Sequence, residues 1–291
     1  MALKKARFAG TWYPGTEREC IRSMKKYEEE LSPSSAAENL PPEATGGIVP
    51  HAGWFFSGKT AYSVFRGLAG MAAESGKAPD LFYVFGMHLP PGGPNYLFLD
   101  EGFETPFGPV YVHRDAAERL SQRFDFVRET AHDAASDNTI ELQLPFIRHL
   151  FPDAKIVTIG VSPDNRAEAI GEAAYEIAQE LGRKPCFIGS TDLTHYGPNY
   201  GFTPHGMGSQ SVRWVKDEND REIIDSFISD EPGTVIKKAL SAHNACCPGA
   251  AAAVIASVRK GGIQRGYLVD YMTSYDRHPD SSFVGYAGIL F

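Results

Sequence analysis

In Leu81-Phe-Tyr-Val-Phe85, followed by Gly86-Met87-His88, five apolar residues run without a break and stop at a glycine. A run this short and continuous, bounded by Gly or Pro, fits a strand buried on both faces, as in a parallel sheet. Gly46-Gly-Ile-Val-Pro50, Lys155-Ile-Val-Thr-Ile-Gly-Val161 and Pro185-Cys-Phe-Ile-Gly189 have the same character. Between them, apolar residues recur at helical spacing over Lys59–Leu68, Asp115–Arg123, Asn138–Leu150 and Arg166–Leu181. Strand alternating with helix predicts an α/β fold, a three-layer sandwich with a mostly parallel central sheet and helices on both faces.

Working outward, helical patterns at Glu17–Leu31, Arg221–Ser229, Thr234–Ala242 and Ala250–Arg259 and alternating runs at Gly266–Met272 and Phe283–Leu290 extend the same sheet. The Pro/Ser-rich piece Leu31–Pro42 reads as a surface loop, and the charged Lys216–Glu222 as a solvated loop entering a helix. No repeat or low-complexity linker divides the chain, so residues 1–291 are expected to form a single domain.

The 291 residues carry 28 Lys plus Arg against 36 Asp plus Glu, a formal charge of −8. Nucleic acid is therefore not an expected partner, because phosphate binding needs a concentrated basic face. The least polar stretch, Gly249–Val258, is about half the length that spans a bilayer, so no membrane partner is expected and the protein reads as cytoplasmic. Four cysteines, at 20, 186, 246 and 247, cannot form a dense disulfide framework in a chain of this length. The adjacent pair Cys246-Cys247 suggests a thiolate ligand or a reactive thiol.

Three histidines share a topological position. His51 follows the strand ending at Pro50, His88 follows the one ending at Gly86, and His195 follows the one ending at Gly189. In an open parallel sheet, ligands bind beyond the carboxyl ends of the strands, so three imidazoles would face one crevice. His113, His132, His149 and His205 sit in polar or helical contexts and read as structural, with His278 in an outer layer of the site. Cys246-Cys247-Pro248-Gly249 stands directly ahead of a helix whose positive end favours thiolate. Two imidazoles and a thiolate make a three-point site for a transition metal with positions open to substrate. Asp192 beside His195 is placed to orient that ring for acid-base chemistry. In Asn138-Thr-Ile-Glu141 the spacing resembles a capping box, which makes Glu141 a helix cap first and a site residue second.

Ala9-Gly-Thr-Trp-Tyr-Pro14, Val49-Pro-His-Ala-Gly-Trp-Phe-Phe-Ser-Gly58, Thr139-Ile-Glu-Leu-Gln-Leu-Pro145, Ser190-Thr-Asp-Leu-Thr-His-Tyr196 and Ser281-Ser-Phe-Val-Gly-Tyr-Ala-Gly288 resemble the Memo family, called AmmeMemoRadiSam system protein B in prokaryotes. That family is similar in fold to the LigB-like class III extradiol ring-cleavage dioxygenases, whose non-haem iron is held by two histidines and a carboxylate. The resemblance implies that His51 and His88 bind metal, and that Cys246, with Cys247 as the alternative, replaces the carboxylate. It implies further that His195 is the acid-base residue, with Asp192 beside it. The sequence departs from the family pattern in three respects: the loop before His88 is one residue short, Asn138 replaces a frequent His, and Cys247 and Ala250 replace Gly and Pro.

The activity implied is an iron(II)-favoured, metal-dependent oxidoreductase acting on a small molecule. Replacing a hard carboxylate with a thiolate keeps copper and zinc open and weighs against ring cleavage itself. The family name also implies a binding role beside an AMMECR-like protein and a radical SAM enzyme, and Cys plus two His also admits a zinc hydrolase.

Overall fold

The computed structural model describes residues 2–31, 44–133 and 137–291. Its strands are β1 (Leu3–Lys4), β2 (Gly46–Val49), β3 (Leu81–Gly86), β4 (Asn95–Phe98), β5 (Gly102–Phe103), β6 (Val110–Tyr111), β7 (Phe126–Glu129), β8 (Lys155–Gly160), β9 (Pro185–Ser190), β10 (His195–Tyr196), β11 (Tyr267–Thr273) and β12 (Phe283–Leu290). Nine of these make one sheet in the order β10-β12-β2-β9-β3-β8-β4-β7, with β11 also paired to β12, while β1, β5 and β6 form a small separate sheet.

The four central strands, β2, β9, β3 and β8, run parallel, as their unbroken apolar sequences anticipate. β12 and β4 then pair antiparallel on the two sides of this core. The helices are α1 (Glu17–Glu30), α2 (Trp54–Ser75), α3 (Arg114–Arg123), α4 (Asn138–Glu141), α5 (Leu144–Leu150), α6 (Arg166–Glu180), α7 (Ser209–Trp214), α8 (Asp220–Ser229), α9 (Pro232–Ala242), α10 (Pro248–Lys260) and α11 (Ser274–Arg277).

Two neighbouring glycines of β2 show that both faces of the sheet are covered. A Cβ on Gly46 would lie 2.8 Å from Val258 of α10, and one on Gly47 would lie 2.4 Å from Val64 of α2. Successive strand residues face opposite sides, so α2 and α10 lie on opposite faces and both approach more closely than a side chain on β2 permits. This is the three-layer arrangement the sequence predicts. α10 is buried along nearly its whole length, and its alanines let it pack tightly on α6.

Three sequence expectations need correction. Asn138–Leu150 is two short helices rather than one, because the chain breaks at Leu142-Gln143 ahead of Pro145. Lys216–Glu222 is not a solvated loop: a π-helical turn, Val215–Asn219, joins α7 to α8, with Val215, Asn219 and Asp220 buried. The short strands β4 and β7, of which β7 is the sheet edge, were not anticipated. Beyond Leu31, the Pro/Ser-rich loop expected at Leu31–Pro42 lies outside the described residues. Among the described residues, no helix is long and apolar enough to cross a membrane.

Candidate metal centre

β2, β3 and β9 all end on the same side of the sheet, and the loops that follow them carry His51, His88, Asp192 and His195. Cys246 arrives from the segment ahead of α10, its N–H donating to the Asp192 carbonyl (3.1 Å). Topology thus converts four distant sequence positions into one crevice, as expected at the carboxyl ends of parallel strands.

His51 is buried and held on every side. Its backbone N–H donates to Asp192 Oδ1 (2.7 Å), its carbonyl accepts from Asn138 Nδ2 (2.8 Å), and its Nδ1 meets Ser190 Oγ (3.0 Å). Ser190 Oγ is steadied in turn by Gln143 Nε2 (3.3 Å), which also donates to the Pro50 carbonyl (2.9 Å). With Nδ1 occupied, Nε2 is aimed at His88 Nε2 (3.1 Å) and Cys246 Sγ (3.2 Å). Burial alone would push this imidazole down, but the Asp192 carboxylate and the Cys246 sulfur outweigh it and raise it above the usual histidine value.

His88 reaches the same point from a loop held in an uncommon backbone conformation. Met87, just before it, has φ of 72°, a left-handed value that non-glycine residues rarely adopt. The Met87 N–H donates to Thr139 Oγ1 (2.8 Å), and both the N–H and Nδ1 of His88 lie 3.3 Å from Asp137 Oδ2. The Asp137 hydrogen bond, seconded by Cys246, pushes His88 up to about 10. Asp137 is the residue the sequence analysis missed. It, and not Asn138, is the N-cap of α4, its carboxylate accepting from Thr139 N–H (2.9 Å) while also holding His88. An acidic residue directly ahead of the Asn-Thr pair was the available signal.

The two cysteines differ in state. Burial would raise both, but hydrogen bonds from Cys247, His51 and His88 and the charge of His51 hold Cys246 well below the ordinary thiol range. Asp192 N–H also donates to its sulfur (3.2 Å). Cys247 is driven the other way, by burial and by the neighbouring sulfur. Cys247 is buried and its sulfur lies 3.7 Å from that of Cys246. Gly249 allows this, because a Cβ there would lie 2.4 Å from the Val161 carbonyl and lift the helix start off β8.

Two role assignments from sequence are corrected. Asp192 does not orient His195; its carboxylate takes the His51 N–H, and its other oxygen is 3.9 Å from His51 Nε2. The carbonyl of Leu193 meets His195 Nδ1 instead (3.1 Å), while Tyr200 abuts the ring edge to face. Nor does Glu141 close a capping box. Its Oε1 accepts from Phe8 N–H (2.8 Å) and Tyr13 OH (3.0 Å), which ties the N-terminal turn to α4. His113 does cap a helix, its Nδ1 accepting from Ala116 N–H.

Above this cluster opens a cavity of about 560 Å³, lined by His51, His88, Asp192 and His195 and walled by Trp12, Phe55, Phe56 and Tyr200, with His278 at its exposed rim. One donor atom from each of His51, His88, Cys246 and Cys247 lies within 4.8 Å of every other. These residues fit a transition ion. Both imidazoles present Nε2 with the far nitrogen already tied, the outer hydrogen bonding usual for ligating histidines, and Cys246 is poised as thiolate.

The sequence profile described as "Memo-like protein" matches residues 4–290. A MEMO1 family protein of Thermococcus onnurineus is 31% identical over 294 residues, covering 97% of each chain. One of Pyrococcus furiosus is 30% identical, covering 99% of this chain and 98% of its own, and one of Pyrobaculum aerophilum is 30% identical, covering 100% and 99%. Among solved structures, uncharacterized protein JW3007 of Escherichia coli K12 superimposes with a TM-score of 0.49 at 10% identity, covering 86% of this chain and 100% of that one.

Proposed function

The chain belongs to the Memo family, and from that premise we propose that His51, His88 and Cys246 hold one transition-metal ion on the floor of the cavity, where a small substrate meets it. The observation that carries this reading is the convergence of His51 Nε2, His88 Nε2 and Cys246 Sγ, with both Nδ1 atoms engaged by Ser190 and Asp137. A bound ion would supply a Lewis acid and, for iron or copper, a one-electron redox partner.

The chain's own residues do the rest. Asp192 fixes the His51 backbone and Cys246 N–H together, which sets the spacing of two donors. His195, with Nδ1 on the Leu193 carbonyl, offers Nε2 to the cavity as the group that accepts or returns a substrate proton. Trp12, Phe55 and Phe56 give the cavity apolar walls suited to a planar or hydrophobic substrate. A thiolate in place of a carboxylate is open to oxidation, so sustained ring opening of catechols is not expected.

Metal analysis of anaerobically prepared protein tests the reading. About one ion per chain is expected, with oxygen uptake on added diols slow or absent. Failure of iron, copper and zinc alike to bind would refute it.

A further inference from the structure

Cys247 has a sulfur that a three-donor site leaves unused. It is buried, it is the N-cap of α10, and its backbone N–H donates to Thr191 Oγ1 (3.0 Å), so the residue is fixed where it stands. For a tetrahedral ion bonded at about 2.3 Å to sulfur and about 2.05 Å to nitrogen, the edges between donors are about 3.8 Å for S–S, about 3.6 Å for S–N and about 3.3 Å for N–N. The corresponding separations are 3.7 Å between the two sulfurs, 3.2 Å from Cys246 Sγ to His51 Nε2, and 3.1 Å between the two Nε2 atoms. Each lies within a few tenths of an ångström of a coordination edge, and the remaining edges lie inside the 4.8 Å span of the cluster.

We propose that Cys247 is a fourth ligand, so that the chain carries a closed site of two imidazoles and two thiolates, selective for zinc(II) or copper(I) over iron(II). This rests on the metal-holding part of the reading above and adds one residue to it; with all four positions filled, a substrate in the cavity would reach the ion only by displacing a ligand. Two thiolates soften the donor set, and four filled positions suit a tetrahedral ion better than one that needs open sites. On binding, each thiol gives its proton to solvent and its sulfur lone pair to the ion. The competing role for Cys247 is donation of an S–H hydrogen bond to Cys246. Serine at 247 keeps a hydrogen-bond donor and is itself a favoured N-cap, but it removes the thiolate.

The test uses the full chain. X-ray absorption on the zinc-loaded, unmodified protein counts the sulfurs directly: two are expected, and one overturns the proposal. In parallel, cobalt(II) loaded anaerobically reports thiolates through its sulfur-to-metal charge-transfer band. Cys247→Ser should reduce that band about twofold while the tetrahedral spectrum persists. It should also weaken zinc and copper(I) binding, in chelator competition, by at least the tenfold to hundredfold that loss of an outer partner costs, roughly. Iron(II) affinity should change far less. If Cys247→Ser matches the unmodified protein while Cys246→Ser loses the metal, the four-donor site is wrong and the three-donor site stands. If the unmodified protein binds none of these ions, both fall.

Discussion

His51 and His195 follow neighbouring strands of one sheet and line one cavity, yet the two walls they belong to are built differently. On the donor wall, His51 is buried, its N–H, carbonyl and Nδ1 all engaged, and its partners Ser190, Asn138 and Asp192 are themselves anchored. On the facing wall, His195 is only partly buried, Nδ1 rests on the Leu193 carbonyl, and its ring leans on the half-exposed Tyr200. The aromatic rim continues this looseness: Phe55 is 69% and Trp12 43% exposed. The difference fits the proposed division of labour: holding an ion at fixed bond lengths would need over-determined donors, and meeting a variable organic molecule would gain from slack.

The largest expected effect breaks the donor wall outright. His51→Ala should reduce metal affinity by more than about a hundredfold, since loss of a donor exceeds the cost of losing an outer partner. It should leave the protein folded, at a cost of about 1–3 kcal/mol for the hydrogen bonds lost. Ser190 Oγ would still accept from Gln143. Metal titration beside thermal unfolding checks both halves, and a variant that unfolds would mean that His51 belongs chiefly to the core.

The contrast between the walls also marks what the sequence could tell. The meeting of His51, His88 and Cys246 was legible because the two histidines follow buried strands and the cysteine precedes a helix, and chain topology converges such points. The central strands were legible because burial on both faces writes an unbroken apolar run. The supporting shell was not. Asp137 acts through its contacts with the N–H and Nδ1 of a histidine 49 residues away, and local spacing places the N-cap one residue late, on Asn138. Asp192 was legible as a site residue but not in its role, because adjacency to His195 in sequence says nothing of which way the carboxylate turns. β4 and β7 are four residues each and, unlike β2, include polar residues, so no unbroken apolar run marks them.

Asp137→Asn sharpens the comparison by loosening one donor without removing it. Asn remains a good N-cap, so α4 should persist. The carboxylate hold on His88 Nδ1 is weakened, and affinity should fall about tenfold to a hundredfold, the usual cost of an outer-layer partner. An unchanged affinity would mean that strain at Met87, not Asp137, aims His88.

The pH dependence of the His88–Asp137 pair gives a smaller effect with a definite sign. His88 rises from 6.5 to about 10, so its contribution to stability is complete below 6.5 and is lost as pH climbs through about 10. Burial would lift Asp137, but hydrogen bonds from His88 and Thr139 bring it from 3.8 to about 2, so its contribution is present above 3.8 and lost as pH falls through about 2. Metal binding must displace the His88 proton, so affinity rises over the range in which metal-free stability declines. The decline should be modest, because the His88 side chain is 45% exposed and solvent screens the pair. The excess melting temperature of the metal-free unmodified protein over Asp137→Asn should shrink as pH rises from 6 to 10, while metal titrations at the same values show affinity rising.

His195→Gln should have the smallest effect on the ion and the most informative one on the division between walls. Gln retains a hydrogen-bonding group of similar reach but cannot take up a proton near neutral pH. The contact it disturbs is one bond to the Leu193 carbonyl at a partly exposed position, so stability should move by about 1 kcal/mol or less. Metal affinity should stay within about twofold of the unmodified protein, because His195 lies outside the donor cluster. Any turnover found with a small substrate should nonetheless fall, because the group that moves the substrate proton is gone. If metal affinity drops as far as in Asp137→Asn, His195 is part of the donor wall and the division is false. If turnover is untouched, the proton is handled elsewhere, with His278 at the cavity rim the next residue to substitute.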